Sequence, residues 1–281
     1  MSTSVPELLT GLVDDAAVFP PAGTPLPRAV AAHREHRAAW YAPMVGPLLV
    51  PASGLGDLPA LLGPQERLEV GLVGDTGLAG LPAAVAAVRA EPRLVPRQVE
   101  VAVAKRGEDP QPGLRTLADQ LSGWPDLIGY AEIPLARGLI AALDTVAEAR
   151  AAGAWIAPKF RTGGLAAELF PTPMELAAVI CACRDRSLPF KLTAGLHRAI
   201  RRTDPETGFV HHGFLNVLAA ALRAAAGAEV IEVAELLAAG SAGAVAGGVA
   251  TGLHRPLLVS FGSCSVAEPV QDLVELGMMA A

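Results

Sequence analysis

The chain has 281 residues, of which 52% are hydrophobic and 18% are charged, a balance that excludes a disordered protein and suits one large core. The formal net charge of −6 and the lack of a basic stripe argue against nucleic acid as a partner. The apolar runs are shorter than about 18 residues and the first residues lack a basic and an apolar region, so we expect neither a membrane partner nor a signal peptide.

The three cysteines do not suggest a disulfide framework. Cys181 and Cys183 are two residues apart on a predicted helix and therefore face different directions. The sequence has no Cys-x-x-Cys pattern, and we expect neither a bound metal nor a cofactor. These features predict a reduced, cytoplasmic protein.

Short apolar runs alternate with helical stretches along the chain. The predicted strands span residues 13–19, 46–52, 67–74, 97–104, 127–134, 154–162, 188–195 and 256–262. The predicted helices span residues 26–39, 57–62, 80–90, 113–122, 137–152, 173–186, 213–226, 229–239 and 266–279. Thr172, Pro173 and Glu175 mark one helix start, because they supply an N-cap hydroxyl, a first-turn proline and a capping-box carboxylate.

Eight strand–helix alternations in 281 residues predict a (β/α)8 TIM barrel of the α/β class, with residues 1–281 in a single domain. Several strands are continuous apolar runs, which is typical of parallel strands covered by helices. An open doubly wound sheet is the structural alternative, although it usually has about five to seven strands. The polar segment 196–212 follows the seventh strand and is interpreted as an inserted loop on the face where barrels build active sites.

Two lysines lie near the ends of neighbouring predicted strands, Lys159 on the sixth and Lys191 on the seventh. Adjacent strands are about 5 Å apart, so two inward-facing ammonium groups would repel each other, and burial would also disfavour their charge. These two effects would lower the pKa of one lysine and leave a neutral amine able to form a Schiff base with a carbonyl. Glu100 and Glu132 would act in the opposite direction, so the sequence leaves the balance open. Lysines that point outward or pair with acids are the structural alternative.

Carboxylates occur at a matching depth, with Glu100 in the fourth strand and Glu132 in the fifth. A carboxylate inside a barrel needs a partner, and a lysine on a nearby strand would provide one, in catalysis or in a simple buried ion pair. The eighth strand ends in Ser-Phe-Gly-Ser-Cys-Ser before a helix, where free backbone N–H groups can hold an anion. A phosphate site there would be lined by Gly163, Gly164, Gly195, Gly262 and Ser263, unless these residues serve only in turns and caps.

The remaining polar residues are assigned by their position. Asp14 and Asp15 end the first strand and reach either the pocket or a solvated loop. Adjacent histidines point apart, so His211 and His212 are not expected to form a metal site. The cluster of Arg198, Arg201 and Arg202 would attract an anionic substrate or be solvated. Asn216 is expected at the surface, and His33, His36 and His254 in structural or exposed positions.

Short motifs on the predicted strands resemble the deoxyribose-phosphate aldolase family of class I aldolases. That family carries a Lys-x-x-Thr-Gly stretch on strand 6, a Lys-x-Ser-Gly-Gly-like stretch on strand 7 and a Phe-Gly-x-Ser-Ser-like turn after strand 8. The corresponding stretches here are residues 159–163, 191–195 and 261–265, and Glu100 and Glu132 stand where the family has acids on strands 4 and 5.

The resemblance implies a carbon–carbon lyase in which Lys159 forms the Schiff base, Lys191 lowers its pKa and Glu100 assists proton transfer. The substrate would be a small phosphorylated or otherwise anionic carbonyl compound. Glu132 is the fourth catalytic candidate. The predicted substrate- and phosphate-binding residues are Arg161, Thr162, Gly163, Gly164, Thr193, Gly195, His197, Gly262, Ser263 and Ser265.

The chain departs from the family pattern at several positions. Arg161 replaces a small residue, and Glu100 replaces an aspartate. His197 and the insert 196–212 stand where the family has a tight glycine turn, and residues 14–23 have no counterpart. Stretches such as Val-Phe-Pro-Pro-Ala and His-Gly-Phe-Leu-Asn-Val also resemble a group of bacterial proteins, a likeness that implies no activity.

Two other functions stay open. A phosphosugar isomerase-type barrel would use Glu100 or Glu132 as a base, with the lysines acting electrostatically. A non-catalytic barrel would use the lysines only to hold a carboxylate or phosphate, and Arg161 suits this function because arginine stays charged and binds oxyanions bidentately. The sequence does not determine the oligomeric state, and a homo-oligomer is one option.

Overall fold

Eight parallel strands close into a barrel in the computed structural model, which describes residues 5–249 and 254–280. The barrel strands are β1 (Val13–Asp15), β2 (Val45–Pro51), β3 (Leu68–Val73), β4 (Leu94–Ala102), β5 (Ile128–Glu132), β6 (Ile156–Arg161), β7 (Phe190–Thr193) and, after a separate hairpin of β8 (Arg202–Thr203) and β9 (Val210–His211), β10 (Leu258–Ser263). Each barrel strand pairs with the next, and β10 pairs with both β7 and β1. The chain is therefore a (β/α)8 TIM barrel, as predicted, and not an open doubly wound sheet.

Helices surround the barrel. They are α1 (Leu26–Ala38), α2 (Leu81–Ala90), α3 (Gln111–Ser122), α4 (Leu139–Ala151), α5 (Pro173–Asp185), α6 (Phe214–Ala225), α7 (Val230–Ala238), α8 (Ala242–Val249) and α9 (Ala267–Glu275). The predicted capping box starts α5, where the Thr172 hydroxyl and the Glu175 carboxylate each accept from the other residue's backbone N–H. Within residues 5–249 and 254–280, no helix has the length and apolarity needed to cross a membrane.

The structure corrects several predicted elements. Two 3-10 segments, Ala52–Asp57 and Pro59–Leu61, replace the helix predicted over 57–62, because Pro59 has no N–H to continue a helical bond pattern. The sequence pattern did not predict α8, since its run of alanine and glycine lacks a clear apolar period. The last helix ends at Glu275 rather than 279, and Gly277 follows it in the left-handed region with φ +67°.

The side chains of each strand alternate between the apolar core, outside the barrel, and the barrel interior. Phe160, Phe190 and Leu192 are buried among the apolar residues between the barrel and its helices. Successive strand residues point to opposite faces, so the neighbouring Lys159 and Lys191 point into the barrel. In the strand register, Lys159 lies opposite Lys191 on β7 and Glu132 on β5.

The insert 196–212 has regular structure that the sequence did not predict. Residues 202–203 and 210–211 form the antiparallel hairpin β8–β9. Asn216 on α6 is fully buried, which corrects its predicted surface position. Its Oδ1 accepts the Arg201 N–H at 2.8 Å, and its Nδ2 donates to the carbonyls of Leu236 and Ala239, each at 2.8 Å. This one amide therefore joins the insert to α6 and the end of α7.

We expect Asn216→Ala to lower the free energy of unfolding by about 2–4 kcal/mol, because three backbone groups would lose their partner and the buried site of the amide would be left empty. Urea denaturation followed by circular dichroism measures the change. Gln271→Ala removes an exposed amide on α9 and serves as the control, with an expected change within about 0.5 kcal/mol. Equal stability of the two variants would show that the Asn216 bonds do not hold the insert in place.

Candidate active site

Charged side chains of alternating sign form a continuous network inside the barrel. In order of contact they are Asp14, Lys191, Glu100, Lys159, Glu132 and Arg161. The first four are almost completely buried, whereas the Arg161 side chain is 45% exposed. We call these six residues the charged network; it runs from the barrel interior to the mouth formed by the carboxyl ends of the strands.

Lys191 lies near the inner end of the charged network. Its side chain is 0% exposed, and its Nζ donates hydrogen bonds to the carboxylates of Asp14 and Glu100. The ring centroid of Tyr130 lies 4.9 Å from Nζ, close enough for a cation–π interaction. Burial alone would lower the pKa of Lys191, but the charges of Asp14 and Glu100 outweigh it and raise the pKa.

Lys159 lies between two carboxylates. Its Nζ is 2.7 Å from Glu100 Oε2 and 2.9 Å from Glu132 Oε2. Glu100 Oε2 accepts no well-aligned hydrogen bond from the described residues, so its approach to Lys159 is a contact between charges. Burial opposes the ammonium charge and is the largest single effect, but the two carboxylates together raise the pKa of Lys159.

The balance that the sequence left open therefore favours the carboxylates, and the pKa of neither lysine falls. The two lysines do face each other on adjacent strands, and the Lys191 charge does act to lower the pKa of Lys159. Each ammonium, however, touches two carboxylates, and these attractions exceed both the burial cost and the repulsion between the lysines. Both lysines consequently rest in the protonated form near neutral pH.

Gln98 joins the buried carboxylates, although the sequence analysis did not single it out. Its Nε2 donates to Asp14 Oδ2 and to Glu100 Oε1, each at 2.8 Å. Ser260 Oγ lies 3.3 Å from the same Asp14 oxygen. Gln98 and Glu100 are two residues apart on β4 and so share its inner face, which is the sequence signal that could have identified Gln98.

The two N-terminal aspartates have different surroundings. Asp14 belongs to the charged network, whereas Asp15 faces outward and its Oδ2 lies 3.0 Å from Nδ1 of the buried His33 on α1. Burial raises the pKa of Asp14, and the attraction of Lys191 does not fully offset this effect. Asp14 is therefore the one carboxyl group of the charged network whose pKa is raised.

The other two carboxylates are held in their charged form. Burial would raise the pKa of Glu100, but the ammonium groups of Lys159 and Lys191 hold it at about 2. Burial also opposes the charge of Glu132, yet Lys159 and Arg161 lower its pKa. Glu132 Oε1 accepts from Arg161 Nη2 at 3.1 Å, while its Oε2 faces Lys159.

The predicted binding residues after β6 and β7 pack closely against each other. The Thr162 hydroxyl donates to the Ala194 carbonyl at 2.6 Å, and a Cβ added to Gly163 would lie 3.0 Å from Gly195 Cα. Ala194 has φ +65° and Gly195 has φ +80°, a left-handed conformation that is strained for alanine. Thr193 pairs in register with Arg161. Gly164 lies against the Leu169 side chain, since an added Cβ would be 2.3 Å from Leu169 Cδ1. The ends of β6 and β7 are thus locked together at the mouth.

The turn after β10 bonds largely to itself. Ser263 is buried and its hydroxyl donates to the Ser265 carbonyl at 2.7 Å, while Ser265 Oγ accepts the Glu268 N–H at 3.3 Å. His197 Nδ1 lies 3.1 Å from Glu268 Oε2 and 3.8 Å from Cys264 Sγ. Gly262 packs beside Thr193, with its added Cβ 3.5 Å from the threonine hydroxyl. The Glu268 carboxylate places negative charge beside the predicted phosphate site, which stays a prediction.

The other polar residues of the insert make local contacts. His212 is buried, its Nε2 donates to the Pro171 carbonyl at 2.8 Å, and burial lowers its pKa to about 4. His211 Nδ1 lies 3.2 Å from the Gly195 carbonyl oxygen. Arg198 Nη1 donates to Asp272 at 3.0 Å, and Arg202 lies 4.0 Å from Asp204. The two arginines are therefore partly neutralised by acids of their own surroundings.

A cavity of about 210 Å³ opens beside the outer end of the charged network. We call it the mouth cavity. Glu132 and Arg161 form one side of it, and Arg106, whose Nη1 donates to the Glu168 carbonyl at 2.8 Å, lies in the loop after β4. Apolar walls come from Ile133, Pro134, Leu135, Leu169 and Pro171. The mouth cavity lies at the carboxyl ends of β4 to β6, the end of a TIM barrel at which substrates bind.

Within residues 5–249 and 254–280, no three His, Cys, Asp or Glu side chains cluster in a way that could hold a metal ion. Cys181, Cys183 and Cys264 are unpaired.

Comparisons of the sequence with protein-family models and with curated proteins give no match.

Glu100→Gln should flatten the acid side of the stability profile. The pKa of Glu100 is about 2 in the folded protein against a reference of 4.5, so the unfolded chain binds more protons between these values. The free energy of unfolding therefore gains from this group as the pH rises through that interval, and keeps the gain at neutral pH. Urea denaturation from about pH 3 to about pH 7 measures the slope.

The same variant should lose about 3–5 kcal/mol at neutral pH, because two buried ammonium groups lose their shared counter-ion. Glu206→Gln, which changes an exposed carboxylate of the insert, is the matched control and should retain the wild-type slope. If Glu100→Gln also keeps the wild-type acid slope, the ion pairs do not depress the pKa of Glu100.

Proposed function

We propose that the protein is an aldolase-like carbon–carbon lyase that acts through a Schiff base on Lys159. The observation that supports the proposal most strongly is the pairing of Lys159 and Lys191 in register on neighbouring barrel strands, with Glu100 shared between them. Lys159, Lys191 and Glu100 thus lie together as the resemblance to deoxyribose-phosphate aldolases implies, although the neighbouring carboxylates raise the pKa of Lys159. The barrel alone is only compatible with such an activity, because many activities share the fold.

Proton transfer has to precede the attack, since Lys159 rests as an ammonium. Both neighbouring carboxylates are within reach of Nζ, at 2.7 Å for Glu100 and 2.9 Å for Glu132. We assign the transfer to Glu132, because its side chain is 20% exposed and lines the mouth cavity, whereas that of Glu100 is 1% exposed. The ammonium proton moves to Glu132 and leaves a neutral amine facing the substrate.

The amine of Lys159 then attacks the carbonyl carbon of the substrate. The extra proton on nitrogen moves to the new alkoxide, which gives a neutral carbinolamine. The Glu132 carboxylic acid protonates the carbinolamine hydroxyl, water leaves, and the nitrogen lone pair forms the iminium. The atoms and protons balance, since Glu132 returns to its carboxylate form and one water is released.

Carbon–carbon cleavage uses the iminium as the electron acceptor. A base removes the proton of the hydroxyl group β to the iminium carbon, the carbon–carbon bond breaks to release an aldehyde, and its electrons form an enamine on Lys159. Glu132, which is again a carboxylate and lines the mouth cavity, is our candidate base in place of the buried Glu100, and its carboxylic acid can return the proton to the enamine carbon. Water then hydrolyses the iminium. Lys191 stays charged throughout and holds Glu100 and Asp14 in place.

Arg161 is the proposed binding group for the anionic part of the substrate. Its Nε and Nη2 contact Glu132 Oε1 at 3.3 and 3.1 Å, and the side chain is 45% exposed at the mouth cavity. Arg106 adds a second guanidinium to the same cavity. A phosphate or carboxylate there would lie near Glu132, which contacts Lys159, whereas the predicted site at the β10 turn has the Glu268 carboxylate next to it.

The raised pKa of Lys159 favours a second candidate function. A permanently protonated Lys159 would polarise or hold an oxyanion without forming an imine, as in an isomerase-type barrel with Glu132 or Glu100 as base, or in a non-catalytic binding barrel. Only the first candidate forms a covalent imine between Lys159 and the substrate, and this imine can be trapped by chemical reduction.

Borohydride trapping tests for that bond. The chain has three lysines, and Lys105 is exposed outside the site, so it provides a matched control. After incubation with acetaldehyde, pyruvate or dihydroxyacetone phosphate and reduction, we expect peptide mass mapping to find the adduct on Lys159. Lys159→Ala should abolish this adduct, Lys191→Met should reduce it at least about tenfold through the loss of Glu100 positioning, and Lys105→Ala should leave it unchanged. Adducts confined to Lys105 would reject the Schiff base and favour the second candidate.

A further inference from the structure

A second cavity, of about 370 Å³, lies at the opposite end of the barrel from the mouth cavity. It is bounded by α1 and by the amino-terminal ends of β3 and β4. We call it the basal cavity. Residues at this end of a TIM barrel normally contribute to stability rather than to catalysis, so its lining requires an explanation of its own.

Arginine dominates the lining of the basal cavity. Arg34, Arg37, Arg67 and Arg97 all contribute to it. Glu66 pairs with Arg34 at 2.7 Å, and Glu69 pairs with Arg97. With His33 neutral, the lining carries two more positive than negative charges, although the whole chain has a formal charge of −6.

Arg67 provides the clearest surplus charge. Its side chain is exposed at the cavity, and no described residue forms an ion pair or side-chain hydrogen bond with it. A guanidinium offers five N–H donors in a planar fork that matches the oxygens of a phosphoryl group. Arg37, whose Nη1 donates to the Val45 carbonyl at 2.8 Å, lies in the same lining 3.9 Å from Glu69.

His33 adds a buried polar group to the wall. It is 2% exposed, and its Nδ1 lies 3.0 Å from Asp15 Oδ2. A carboxylate can only accept, so Nδ1 is the donor in this pair. The second ring nitrogen, Nε2, has no hydrogen-bond partner among residues 5–249 and 254–280, while the ring lines the cavity. When the ring is neutral, Nε2 is therefore an acceptor, which can bond to a hydroxyl group of a ligand but not to its phosphoryl oxygens.

We propose that the basal cavity binds a phosphorylated small molecule, with its phosphoryl group on Arg67 and the neighbouring arginines. Two surplus positive charges complement a dianion, and a volume of about 370 Å³ accommodates more than the phosphoryl group alone. The basal cavity lies at the far end of the barrel from Lys159, so a ligand bound there does not occupy the proposed active site. The proposal does not depend on the Schiff-base chemistry.

Titration calorimetry of the full chain with inorganic pyrophosphate at constant ionic strength tests the site. We expect saturable binding that weakens at least about tenfold in Arg67→Ala, since a charge-assisted bond is lost, and that is partly restored in Arg67→Lys. Arg67 makes no structural bond, so the variant should keep the wild-type unfolding midpoint. Arg115→Ala, which removes an exposed arginine of α3, is the matched control and should bind like the wild type.

Arg161→Ala separates the two cavities and should leave the binding of pyrophosphate unchanged. If this variant abolishes binding, the anion occupies the mouth cavity and the proposal is wrong. The proposal also fails if the wild type shows no saturable binding, or if Arg67→Ala and Arg115→Ala bind pyrophosphate equally well.

Discussion

Two ammonium groups can lie inside this barrel because carboxylates from three other strands surround them. An unpaired buried charge costs several kcal/mol, and Lys159 and Lys191 would each destabilise the fold by that amount if they had no partner. Glu100 contacts both lysines, Asp14 and Glu132 complete the pairing, and the Gln98 amide holds Asp14 and Glu100 together. A one-residue slip of any contributing strand would turn its charge outward, so the network also fixes the strand register.

This charge balance constrains the chemistry of the site. A lysine held as an ammonium is a poor nucleophile, so the proposed reaction requires a carboxylate to take the proton when the carbonyl arrives. Glu132 is suited to this step because it contacts Lys159, Arg161 and the mouth cavity. The iminium that follows carries the same positive charge as the ammonium. The pairing with Glu100 therefore survives the covalent step, and the interior does not have to reorganise around a changed charge.

The barrel and the inward direction of the lysines could be predicted because both follow from local patterns, the alternation of elements and the two-residue period of a strand. The sign of the lysine pKa shifts could not, since it depends on how many carboxylates from distant strands reach each Nζ. The structural roles of two buried amides could not be predicted for the same reason. Gln98 bonds to the distant Asp14, and Asn216 bonds to a carbonyl of α7. The internal bonds of the β10 turn, such as that from the Ser263 hydroxyl to the Ser265 carbonyl, could not be predicted either, because they depend on how the turn bends.

Nitrogen-15 NMR of the lysine side chains most directly tests the claim that carboxylates hold both lysines charged. The chain has three lysines, so the three Nζ resonances can be assigned with Lys105→Arg, Lys159→Arg and Lys191→Arg. The account predicts that the Lys159 and Lys191 resonances both titrate above the ordinary lysine pKa of about 10.4, and that Glu100→Gln lowers both pKa values. A Lys159 resonance that titrates near pH 7, with a neutral amine already present in the resting protein, would contradict it.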